Sequence, residues 1–137
     1  MIYDVEKAVI DYFKTRMDDL VGKGGVTIGV YRRKFPDSAA AVGVTVYCEL
    51  REAHDDVPEL EPCAIRITTR HPATKEAFEL IKNADGLLDK VVHLNMNDDV
   101  ELCVSNRNAG PDRLPVEDDL SYFSALYNIT FRSREND

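Results

Sequence analysis

The side chains able to do chemistry include three histidines, His54, His71 and His93, and three cysteines, Cys48, Cys63 and Cys103. No two histidines stand at the spacing of helical ligands and no Cys-x-x-Cys pair occurs, so a zinc site has no support. His93 falls inside an alternating apolar stretch, and Asp89 is too near in sequence to orient it as a general base. The pairs Asp55-Asp56 and Asp98-Asp99 could attract a divalent ion, but neither has EF-hand spacing, and solvated loop acids are the simpler reading. Gly22-Lys23-Gly24-Gly25 follows a helical pattern and lacks the Gly-Lys-Ser/Thr ending, so its glycines read as a helix stop rather than a phosphate cradle. Asn128-Ile129-Thr130 is a formal glycosylation sequon, discounted because it lies in a predicted strand and no secretion signal precedes it. The cysteines are odd in number, far apart and each within an apolar stretch, which suits buried, reduced thiols of a cytosolic protein. Neither a catalytic residue nor a metal or cofactor is expected; binding and assembly are the expected work.

The remaining candidates are charges. Arg32-Arg33-Lys34 stands between two strand-like stretches, and Arg66 and Arg70 share one face of another. Each is a candidate contact to a protein partner or second subunit, because charge across an interface sets register and on-rate. The segment Glu52 to Glu61 holds five acids, Glu52, Asp55, Asp56, Glu59 and Glu61, and no Lys or Arg. The whole chain carries a formal net charge of −8 with a pI near 4.9. Such a balance repels a phosphate backbone, which disfavours stable nucleic-acid binding yet suits a surface past which DNA must slide. No apolar run approaches the ~20 residues that span a bilayer.

The elements that must position these residues follow from periodicity. Val5, Val9, Tyr12, Phe13, Met17 and Leu20 form one helical stripe from Asp4, a plausible N-cap, to Leu20. The period then changes to two. Val26, Ile28 and Val30 alternate, and so do Val42, Val44, Val46, Cys48 and Leu50; these two strands are expected to form a hairpin with Arg32-Arg33-Lys34 at its tip. Ala64 to Arg70 is a third strand. His71-Pro72 ends it, and Ala77, Ile81, Ala84 and Leu88 repeat at helical spacing. Short strands Val92 to Met96 and Val100 to Val104 flank the turn Asn97-Asp98-Asp99. Asn106 to Asp119 is expected to be a loop, and Leu120 to Arg132 a last strand. The order α-β-β-β-α-β-β-β in 137 residues predicts one α+β domain, a mainly antiparallel sheet with two helices on one face. Val5, Val9, Tyr12, Ile67, Ala77, Ile81, Leu88, Ile129 and Phe131 are the expected core.

A leading amphipathic helix, two long strands, Ile65-Arg66-Ile67-Thr68-Thr69-Arg70 leading into Lys75-Glu76-Ala77-Phe78, and an aromatic strand Tyr122 to Phe131 come in a distinctive order. Over nearly the whole chain this resembles the minor capsid and tail terminator proteins of long-tailed phages and of prophages in Gram-positive bacteria. The resemblance implies a non-enzymatic virion protein, assembled in the host cytoplasm and located in the tail or neck. It implies self-association as a ring, a hexamer, that caps the tail tube protein and meets the head-tail connector protein. DNA would be a passing, non-adhering cargo, with Asp55, Asp56, Glu59 and Glu61 as candidate acids of a channel or rim. Alternatives are another neck protein, a head-completion or stopper protein, or, from a different class, a small-molecule-binding domain or enzyme.

Overall fold

Helical and two-residue periods divide the chain much as the apolar residues demand. The computed structural model describes residues 3–38, 42–52 and 59–134. Its elements are α1 (Val5–Thr15), α2 (Met17–Val21), β1 (Gly29–Arg32), β2 (Gly43–Arg51), β3 (Leu60–His71), α3 (Thr74–Leu88), β4 (Val91–Asn95), β5 (Val100–Glu117) and β6 (Leu120–Ser133). Asp4 caps α1, its carboxylate accepting from the Lys7 backbone N–H at 2.9 Å. The single helix expected to reach Leu20 is instead broken at Arg16, whose N–H bonds back to Tyr12 and Phe13 as the chain turns into the short α2. Gly22 then leaves the helical path at φ 88°, backbone that a residue with a Cβ adopts only at a cost.

The six strands form one sheet in the order β1-β2-β3-β6-β5-β4. The fold is α+β and mainly antiparallel, with three helices where two were expected. The departure is β1, which runs parallel to β2 with Gly29 opposite Gly43 and Arg32 opposite Val46. The expected β1–β2 hairpin is therefore absent, and Arg32-Arg33-Lys34 is the start of a connection back across the sheet rather than a hairpin tip. A Cβ on Gly43 would lie 2.1 Å from the Gly29 carbonyl oxygen, so only glycine lets the strands approach this closely.

Inward residues of the strands meet the helices in one cluster. All nine expected core residues are buried, and Ile67, Ala77, Ile81, Leu88 and Phe131 are fully so. Cys63 is buried, whereas Cys48 and Cys103 are only half-buried; all three are free thiols. The opposite face of the sheet lies away from this cluster, and Tyr47, Leu50, Val92 and Val104 are exposed. The expected loop Asn106 to Asp119 is mostly strand, since β5 continues to Glu117 against β6. Asp118 and Asp119 make the two-residue connection, both at positive φ (53° and 60°), as right-twisted strands joined this tightly require.

Candidate assembly surfaces

The basic segment is held by acids of α1. Glu6 is 3% exposed. Its carboxylate accepts from the Cys48 backbone N–H at 2.8 Å and from Arg33 Nε at 3.1 Å, while Arg32 donates to Asp4 at 2.6 Å. Burial raises the Asp4 carboxyl's pKa, but the Lys7 backbone N–H and the Arg32 guanidinium outweigh it and leave the group below its ordinary value. Glu6 stands three residues before Val9 and seven before Phe13, so it shares their stripe. That spacing was the available signal for a buried carboxylate, and the sequence reading missed it. Of the three basic residues, Arg32 and Arg33 secure the fold, and Lys34 is exposed with no ion pair among the described residues.

Arg66 and Arg70 do lie on one face of β3, but they do different work there. Arg66 pairs with Glu49 across β2 and donates to Ser124 Oγ at 2.9 Å. Arg70 is buried, donates to the carbonyls of Pro36 and Ser38 and stacks over the Phe35 ring at 4.4 Å. Phe35 in turn meets Tyr31 and Tyr122 edge-on. The connection after β1 is thus pinned to the sheet face that carries no helix.

Of the candidate acids, Glu61 is paired with Arg51 and Glu59 is exposed. Asp55 and Asp56 lie outside the described residues, as does His54. His71 Nδ1 accepts from the Ala73 N–H and so orders the turn before α3. His71 also lines a cleft of about 710 Å³ together with Leu20, Val26, Ile28, Glu76 and Leu80. His93 stands on β4 at positive φ and is exposed. Asp89, discounted as its partner, accepts instead from the Arg107 N–H at 2.8 Å. Asp85, which the sequence reading did not single out, takes the Tyr127 hydroxyl at 2.7 Å and Arg107 Nη1 at 2.9 Å; burial and then this hydrogen bond push the Tyr127 phenol upward. Asn97 Oδ1 accepts from the Asp99 and Val100 N–H groups, which is the turn chemistry expected there.

Among the described residues, the outer half of β5 is a long stretch with one strand neighbour. From Val100 to Ser105 the strand lies between β4 and β6; beyond Ser105 β4 has ended, so Asn106 to Glu117 pairs with β6 alone. An edge of this length is a template for another strand. Pro111, Pro115 and repeated register shifts interrupt it.

The protein matches a chain from the virion of a native gene transfer agent particle with a TM-score of 0.55, over 93% of this chain and 94% of that one, at 15% identity. That likeness is one of fold. No family model matches the chain, and no curated protein matches it. Among the described residues no group of three or more His, Cys, Asp or Glu is placed to hold a metal ion, and no helix is long and apolar enough to cross a membrane.

Proposed function

We propose that this protein is a structural component of a phage-like virion, a tail terminator that assembles as a ring, caps the tail tube and joins it to the head connector. The observation that carries the reading is the fold likeness to a gene transfer agent virion chain over nearly the full length of both. It agrees with the resemblance of the Ile65 to Phe78 stretch to phage terminator sequences. Two physical features support it. The open β5 edge offers a surface for a second copy, and a head-to-tail contact repeated about an axis closes into a ring. A net charge of −8 lets duplex DNA pass such a ring without adhering. The partners in this reading are further copies of the chain, six in the closed ring, the tail tube protein and the connector.

The test is to add the protein to polymerising tail-tube subunits and examine the tubes by electron microscopy. Capped tubes of defined length that join heads are expected. Tubes that stop and join heads equally well without the protein would remove the terminator role and leave only the broader assignment to the virion.

A further inference from the structure

Cys48 and Cys63 are the one pair of cysteines that the sheet brings together. Cys48 faces Ile65 across the β2–β3 ladder, and Cys63 is two residues along β3 from Ile65, so both thiols point to the helix side. A register shift between Cys48 and Leu50 draws the strands past one another here, putting Leu50 opposite Ala64 and Arg51 opposite Cys63. The two are diagonal neighbours across the ladder, and each thiol donates to a nearby carbonyl, Cys48 to Leu50 at 3.4 Å and Cys63 to Glu61 at 3.6 Å. The rung is held closed independently by the Arg51–Glu61 ion pair and by the Glu52 N–H, which donates to the Pro62 carbonyl at 2.9 Å.

Their environments differ in the way a thiol pair needs. Cys63 is buried, whereas Cys48 is half-buried and lines a cleft of about 530 Å³ with Glu6, Arg32, Arg33 and Arg51. The interaction between the two thiols, with burial adding to it at Cys63, holds Cys48 below its ordinary pKa and Cys63 above it. Cys48, half-buried at the cleft, is the thiol that a reagent can reach.

We propose that Cys48 and Cys63 are a redox-active pair that closes to an intrachain disulfide when the protein meets a small-molecule disulfide oxidant. The Cys48 thiolate attacks one sulfur of the oxidant, forming a mixed disulfide and expelling one thiolate, which takes up a proton. Cys63 then loses its proton, its sulfur attacks Cys48 Sγ, and the other thiolate of the oxidant leaves. Two thiols of the protein are oxidised and one disulfide is reduced to two thiols. The new bond ties β2 to β3 at the base of the acidic segment Glu52 to Glu61. Its purpose rests on the virion reading: the thiols stay reduced through assembly in the host cytoplasm and close once the particle reaches an oxidising exterior.

The experiment incubates the native full-length chain with oxidised glutathione, then measures intact mass and maps disulfide-linked peptides. A loss of two hydrogens, a Cys48–Cys63 peptide and a thermal midpoint raised by several degrees are expected. Cys103→Ser should react as the wild type does, and Cys63→Ser should instead retain one glutathione at Cys48. A wild-type chain whose three thiols stay free under native conditions, or that keeps a stable glutathione adduct, or that links only through Cys103, overturns the proposal. Because this readout needs no tail tube, its failure leaves the terminator reading standing, and failure of tube capping leaves the thiol chemistry standing.

Discussion

The connection that follows β1, through Ser38, and the outer half of β5, Asn106 to Glu117, are both polar stretches between apolar runs, yet they do opposite things. The connection has the composition of a free, projecting loop and is tied down. Glu6, Asp4, Arg70 and the Phe35 ring fix it to α1 and to the sheet. The outer half of β5 has an irregular sequence and is ordered strand, with its side chains largely in solvent and one backbone edge open. Side-chain polarity reports burial, and burial and order are separate properties. A polar segment is anchored when a few charges find buried partners, and is regular when a neighbouring strand supplies backbone hydrogen bonds.

Four measurements sharpen or break that contrast. The largest effect is expected within β5 itself. Leu102→Asp places an unpaired charge at a fully buried position and should cost at least about 4 kcal/mol, read as loss of a cooperative melt. Leu114→Asp, on the outer half at 37% exposure, should change stability by no more than about 0.5 kcal/mol. Equal losses would mean that the outer half is packed as tightly as the inner.

Next comes the anchor. Glu6→Ala leaves the Cys48 N–H without its acceptor and frees Arg33, and should cost about 2–3 kcal/mol in chemical denaturation. Arg113→Ala on the open strand should be close to neutral. A neutral Glu6→Ala would show that the segment is held by the aromatic contacts alone.

A smaller effect carries a pH signature. Asp4→Asn keeps the capping oxygen but loses the charge facing Arg32, and should cost about 0.5 kcal/mol at neutral pH. The folded-state pKa of Asp4 is depressed, so its contribution is present above the unfolded value near 3.8 and is lost as the pH falls through the lower folded value. The gap between wild type and variant should therefore close in acid, and added salt should narrow it at neutral pH. A gap that widens in acid would contradict the assignment.

The smallest change expected is a gain. Asp119 sits at φ 60° in the β5–β6 connection, so Asp119→Gly should stabilise the protein by a few tenths of a kcal/mol. Destabilisation would mean that the carboxylate itself holds the turn.

Much of the fold was legible because burial is one-sided. The stripe through Val9 and Phe13, the alternation of Ile65, Ile67 and Thr69, the helix around Ile81 and the aromatic face of β6 each give a period that only one element satisfies. The direction of β1 was not legible, since alternation records which face is covered and says nothing of which way the neighbour runs. The outer half of β5 was hidden because neither of its faces is buried, so it has no period to detect. At the candidate surfaces the arginines were recognisable by type, but their partners, Asp4, Glu6, Glu49 and the Phe35 ring, are brought near by the tertiary fold. Only Glu6 left a trace, by standing in the apolar stripe of α1.

The strand order has a consequence for synthesis of the chain. β3 ends at His71, and its other neighbour, β6, ends at Ser133. A growing chain can pair β2 with β3 early, but Cys63, Ile65 and Ile67 then wait beside an unfilled edge while about 60 more residues are added. At common rates of translation that wait is roughly 3–12 seconds, long compared with the microseconds a hairpin needs to form. For that interval the nascent protein presents the open edge of a central strand to whatever else is in the cell, until β6 is made and pairs with it.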